Sequence, residues 1–189
     1  MELPIGILGI GPVERKILNF LAGRLPASFP RCSFQVVEEQ LTPPSAAYIP
    51  SRGQWLSTEV LYSLSRFSKG FPYAKVLGVA DFDAFVHGLN FVFGEAQVAR
   101  RCCIIYLPRL RPEFYGLPPD EQLFFHRCLK EATHELGHTF GLKHCIDPTC
   151  VMSFSNSILD VDCKSHLFCS SCSRTLENAI QSMLLRWRF

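Results

Sequence analysis

One string of eleven residues, HELGHTFGLKH from His134 to His144, constrains this chain more than any other stretch. Residues four apart on a helix share a face, so His134 and His138 aim their imidazoles the same way, with Glu135 beside them. A helix cannot present a third histidine at position 144 without ending. Gly141 permits the positive-φ turn that ends it. Upstream, Leu123, Phe124, Cys128, Leu129, Ala132, Leu136 and Phe140 recur at helical spacing after the Pro118-Pro119-Asp120 start. The motif therefore sits at the C-terminal end of a long helix whose apolar stripe must be buried.

Three neutral imidazoles leave one position of a tetrahedron open for water, which is how catalytic zinc sites are built. Bound zinc lowers the pKa of such a water to about 7, so Glu135 can act as general base near neutral pH. HExxH on a helix is the motif of zinc peptidases. Three imidazoles also accept other metals, such as iron or nickel.

The next residues carry a second set of ligand types. The chain has nine cysteines, an odd number, and five of them lie between Cys145 and Cys172. The N-terminus MELPIGILGIGPVERK has no basic leader and no small-residue cleavage site, so it reads as a folded strand and the chain as cytoplasmic. Thiols in that compartment stay reduced, which favours metal ligation over disulfides. Cys145, Cys150, Cys169 and Cys172 form a CxxxxC…CxxC set able to close a tetrahedron around a structural zinc, and Cys163 could replace one of the four. Cys172, near the start of the last helix, lies where the dipole favours a thiolate. Cys32, Cys102, Cys103 and Cys128 sit in apolar patterns and read as buried small hydrophobes. His144 and Cys145 are neighbours, and successive side chains of an extended segment point apart, so one loop can serve two metals.

Elsewhere the pattern is that of one mixed domain. Apolar runs at Ile5–Ile10, Phe34–Val37, Lys75–Ala80, Asn90–Val98 and Cys102–Leu107 read as five strands. Helical stripes follow Pro12, cover Val60 to Phe67, and recur at Leu176, Ile180, Met183, Leu184 and Trp187. Helices among the first strands, then strands in close succession, predict a mixed sheet with an antiparallel member. Gly94 inside the fourth strand suggests an edge or bulge that another backbone could approach. The segments 42–54 and 144–172 read as irregular. A net charge of +2 gives no nucleic-acid footprint, no apolar run reaches membrane-spanning length, and Arg109, Arg111, Glu131 and Lys143 read as solvated charges. Asp81 and Asp83 follow a core strand without an evident chemical role.

The extended histidine motif followed by Met152 resembles the metzincin pattern. The His144-Cys145 junction with the four-cysteine set, together with GVADFDAF and NFVFGEAQ, is similar to the archaemetzincins over about residues 1–185. The distance from Met152 to Cys169, with 16 residues between them, departs slightly from the family spacing. The resemblance implies an α/β (α+β), compact metzincin-like fold, in which a twisted five-stranded mixed sheet with an antiparallel edge strand lies over the active-site helix. Residues 1–189 would form one catalytic domain: 1–141 an upper subdomain and 142–189 a small, zinc-stapled lower one with Met-turn and C-terminal helix. Met152 would pack beneath the zinc histidines. Phe154 stands where some metzincins carry a tyrosine. The edge strand near Phe91–Gln97, centred on Gly94, Glu95 and Ala96, would pair with an extended peptide. The implied activity is zinc-dependent hydrolysis of peptides or proteins, aminopeptidase-like, by a monomer with two zinc ions and no nucleic-acid or membrane partner. The alternative is a non-catalytic zinc module whose cleft serves a partner or is blocked by its own residues.

Overall fold

The structure is a computed structural model, described over residues 1–187. Its elements in chain order are β1 (Leu3–Ile10), α1 (Arg15–Arg24), β2 (Cys32–Val36), β3 (Tyr48–Ile49), β4 (Gln54–Leu56), α2 (Ser57–Phe67), β5 (Lys75–Ala80), β6 (Ala84–Phe85), β7 (Gly94–Ala96), β8 (Cys102–Tyr106), α3 (Glu121–Thr139), α4 (Ile158–Cys163) and α5 (Ser170–Arg186). The main sheet has the order β2-β1-β5-β8-β7. Its strands run parallel except β7, which pairs antiparallel with β8 through Gly94↔Ile105, Glu95↔Ile104 and Ala96↔Cys103.

Period-2 alternation divides the central strands between two cores. Leu3, Ile5 and Ile7 of β1, Leu77 and Val79 of β5, and Cys103 and Ile105 of β8 face the layer built by α1, α3 and α5. Leu8, Ile10, Val76, Ile104 and Tyr106 face α2 on the other side. Both faces of the sheet are thus covered, and each fully buried leucine or isoleucine contributes about 1.5–3 kcal/mol. Helix α3 lies under β8 and β7, with Asp120 capping it by accepting from the Leu123 amide at 2.9 Å. The histidine motif therefore ends up below the β7 edge of the sheet.

Several local expectations are corrected. The fourth strand is only three residues long; Asn90 to Phe93 is irregular, although Tyr106 N–H still donates to the Phe93 carbonyl. The segment 42–54 contributes β3 and β4, which join β6 in a small separate sheet. Helix α4 interrupts the cysteine-rich segment, started by a capping box between Ser157 and Asp160. Arg109 and Arg111 are not freely solvated: each forks onto a carboxylate, Asp83 and Asp81 respectively, at 2.7 Å per bond. Asp81 and Asp83 thereby gain a structural role, tying the end of β5 to the segment after β8. Cys32, Cys102, Cys103 and Cys128 are buried.

Candidate active site and metal centres

The three histidines converge. His134 and His138 lie one helical turn apart on α3 and are buried, while His144 arrives from the loop beyond. One ring nitrogen from each can be chosen so that all three lie within 4.8 Å of one another. Gly141, at φ +92°, makes the reversal, and the Leu142 amide returns to the Gly137 carbonyl at 3.2 Å.

Their tautomers follow from their partners. His134 Nδ1 lies 2.7 Å from the Val151 carbonyl, and His138 Nδ1 lies 2.7 Å from the Leu142 carbonyl. A carbonyl only accepts, so each Nδ1 carries the proton. Burial holds both imidazoles below their ordinary pKa, His134 well below, and so neutral. Each Nε2 is therefore a bare lone pair, and the two Nε2 atoms face each other at 3.1 Å. Lone pairs repel at that distance unless a cation sits between them. Zinc–nitrogen bonds of about 2.0–2.1 Å in a tetrahedron place ligand atoms about 3.4 Å apart. The donor set fits a metal ion.

Glu135 projects from the same turn and is buried, with its carboxyl pushed well above the usual range by burial, then by Glu131. The feature that admits it is Gly94. A Cβ there would lie 2.5 Å from Glu135 Cγ and 2.7 Å from Glu135 Oε1. What approaches Gly94 is thus the Glu135 side chain together with the Ile104 backbone carbonyl, whose oxygen would lie 2.7 Å from that Cβ. A similar contact lies beneath: a Cβ on Gly137 would meet Met152 Sδ at 2.5 Å, so the glycine inside HELGH is what lets Met152 pack under the histidines. The ring of Phe154 lies 4.9 Å from that of His144.

The sulfurs of Cys145, Cys150, Cys169 and Cys172 form a second group, also mutually within 4.8 Å. Cys145 Sγ and Cys169 Sγ are 3.8 Å apart. That is the edge of a tetrahedron with metal–sulfur bonds of about 2.3 Å and far beyond a disulfide. Cys163 is exposed at the end of α4 and outside the group. The N-cap of α5 is Cys169, whose thiol is lowered to about 7, chiefly by the Cys172 backbone amide, whereas burial raises Cys172. The benefit of the helix start thus falls on Cys169, not on Cys172 as the sequence suggested. The two groups share a short strap: Cys145 N–H donates to the Met152 carbonyl, Ser153 N–H to the Cys150 carbonyl, and Cys169 N–H to Cys150 Sγ.

The family model of peptidase family M54 matches residues 45–178. The chain belongs to peptidase family M54. It is 42% identical over 185 residues to archaemetzincin from Pyrococcus furiosus, covering 96% of both chains. It is 44% identical over 178 residues to archaemetzincin from Methanocaldococcus jannaschii, covering 94% of this chain and 95% of the relative. The crystal structure of archaemetzincin from Methanopyrus kandleri matches with a TM-score of 0.83 at 34% identity, over 95% of this chain and 96% of that one. This M54 protein is a zinc metallopeptidase that acts on peptide or protein substrates.

Its histidines and Glu135 open onto a groove of about 620 Å³ running beneath β7, with Gly94, Glu95 and Ala96 on the sheet side and Phe154 to Asn156 on the other. Sequence reasoning missed two members of this groove. Glu131, expected to be solvated, is 3% exposed, and its carboxylate lies 2.8 Å from Nζ of Lys164, which is 2% exposed. Glu131 stands one turn before Glu135 on the helix face that bears the site, a signal available from spacing alone. Lys164, from a different segment, carried none. Lys143 is exposed as expected. Among the described residues, no helix is long and apolar enough to cross a membrane.

Proposed function

We propose that Glu135 is the general base of this zinc peptidase, that His134, His138 and His144 hold a catalytic zinc, and that Cys145, Cys150, Cys169 and Cys172 hold a second, structural zinc. The observation that carries this reading is the pair of unprotonated Nε2 atoms 3.1 Å apart with the buried Glu135 carboxyl beside them. Bound there, zinc supplies Lewis acidity, which polarises a peptide carbonyl and acidifies water. Glu135 accepts the proton of the attacking water and returns it to the leaving amine, so that one water adds across the broken C–N bond. The Val151 and Leu142 carbonyls hold the imidazoles in the metal-binding tautomer. Met152 supports the histidines from below, in the space that Gly137 leaves.

Substrate would lie extended along β7, whose outer edge has no neighbouring strand among the described residues, with the backbone of Gly94, Glu95 and Ala96 pairing with it. The chain would work as a single unit, 1–141 above the cleft and 142–189 below. It would act as a cytoplasmic monomer without nucleic-acid or membrane partners and trim peptides in the manner of an aminopeptidase. An open groove speaks against a cleft blocked by the chain's own residues. Glu135→Ala tests the mechanism. Two zinc ions per chain should remain while peptide hydrolysis falls by roughly 10²–10⁴-fold, the usual contribution of a general base. Cleavage unchanged in that variant would remove Glu135 from the mechanism.

A further inference from the structure

Lys75, the first residue of β5, is 4% exposed, and among the described residues no carboxylate lies within ion-pair distance of it. A lysine buried without a counter-charge is rare, so what its ammonium holds is informative. Strand alternation turns it to the face of Leu77 and Val79, toward α3. There it donates to two carbonyls, each at 2.6 Å. One belongs to Thr139, the last residue of α3, where a helix leaves its carbonyls unsatisfied and favours a cation. The other belongs to Arg100, in the turn 97–101 that joins β7 to β8.

The same turn is tied to the same helix end a second time, because Ala99 N–H donates to the His138 carbonyl at 2.9 Å. Ala99 holds a left-handed backbone, φ +54°, although it is not a glycine. That conformation is costly and persists where the surroundings over-determine it. The helix end bears a histidine of the metal cluster, and the turn bears the strand with which substrate would pair. Little else places β7: three of its residues pair with β8, and its other edge has no strand among the described residues. Lys75 itself does not line the groove, so it acts on substrate only through these two elements. We propose that Lys75 is a positioning residue for peptide hydrolysis: by tying the β7–β8 turn to the end of α3, it sets the spacing between the substrate-pairing edge and the histidines on which extended peptides depend. The proposal goes beyond the function given above and rests on its β7 pairing.

The test compares a ligand that needs β7 with one that does not. A hexapeptide is long enough to pair with the strand, whereas acetohydroxamate reaches only the metal. Both are titrated into zinc-loaded Glu135→Ala protein, with and without Lys75→Met. Lys75→Met should weaken the hexapeptide at least about 10-fold, since small misplacements of a positioning element cost up to about 10²-fold. Acetohydroxamate affinity and zinc content should stay within about twofold of the parent. With Glu135 intact, Lys75→Met should raise KM for the hexapeptide by a similar factor, and amide exchange across residues 94–101 should quicken. Hexapeptide affinity within about twofold of the parent overturns the proposal. Equal weakening of hexapeptide and acetohydroxamate overturns it too, because the damage then lies in the metal site as a whole. Should Lys75→Met fail to fold, Lys75→Gln is held to the same comparison. A hexapeptide with N-methylated backbone amides separates the two readings. If it binds the parent protein as tightly as the plain hexapeptide, substrate does not pair with β7, and the proposal falls with that reading.

Discussion

Gly94→Ala offers a sharp probe of how the sheet edge and the active-site helix depend on each other. The added Cβ would stand 2.5 Å from Glu135 Cγ, 2.7 Å from Glu135 Oε1 and 2.7 Å from the Ile104 carbonyl oxygen. Ordinary contact begins at 3.4 Å, so the tightest of these must open by about 0.9 Å. The Ile104 oxygen belongs to β8, fixed in the middle of the sheet by its pairing with β5 and β7. The parts able to yield are β7, which has one free edge, and the Glu135 side chain. Movement of the side chain displaces the carboxylate from the histidine cluster by most of an ångström, and movement of β7 shifts the strand edge that flanks it by as much. A displacement of that size costs on the order of 10²-fold in rate, while overpacking costs about 1–3 kcal/mol of stability. The histidines themselves are not touched, so zinc content should stay at the wild-type value. The assay is kcat on a peptide substrate with zinc-loaded protein, with bound metal measured by atomic emission and stability by thermal unfolding. A kcat within about twofold of wild type, with zinc retained, would refute the claim that Gly94 exists to seat Glu135.

Three further outcomes are expected. Cys150→Ser should empty the thiolate site and also weaken zinc at the histidines, because Cys150, Met152 and Cys145 are joined through one strap; chelator competition measures the second affinity, and an unchanged value would sever the coupling. Lys164→Met leaves Glu131 buried and unpaired and should cost about 3–5 kcal/mol in denaturant unfolding, whereas Glu131→Leu with Lys164→Met should recover most of it. Lys75, buried with its ammonium on the Arg100 and Thr139 carbonyls at 2.6 Å, has its pKa lowered to about 8 by burial. Between pH 8 and the ordinary lysine value the unfolded chain binds more protons than the folded one, so this residue's penalty is full below pH 8 and relieved as pH rises. The stability of wild type relative to Lys75→Met should accordingly climb across that window, and a flat difference would show that Lys75 titrates normally.

How much of this was legible beforehand depends on the range of the interaction involved. The strand Lys75–Ala80, the long helix and the split of apolar residues between two faces follow from periods of 2.0 and 3.6, which are local properties of the chain. The boundaries of β7 were not legible. Asn90–Val98 holds enough aromatic and β-branched residues to read as a strand, but only Gly94–Ala96 finds a partner register on β8. The small sheet rests on two-residue pairings, a local one between β3 and β4 and one between β4 and β6 that joins Trp55 to Ala84 and Leu56 to Phe85, too short to imprint any alternation. Arg109, Arg111 and Glu131 were misread for one reason: a charge looks the same in sequence whether water or a counter-ion from another segment surrounds it.

By itself the sequence determined which residues could offer nitrogen donors to a metal, since HELGHTFGLKH carries its own helix, turn and imidazoles within eleven positions. It also determined that His144 and Cys145 must face different neighbours, because adjacent side chains diverge. The tertiary structure decided what stands around them: Gly94 against Glu135, Met152 in the gap that Gly137 leaves, Lys164 against Glu131, and Glu95 with one oxygen held and the other free. Each of those contacts joins segments distant in sequence that only tertiary packing brings together. Local patterning can state which groups a chain owns. Which of their charges are left uncompensated is a property of the folded cleft alone.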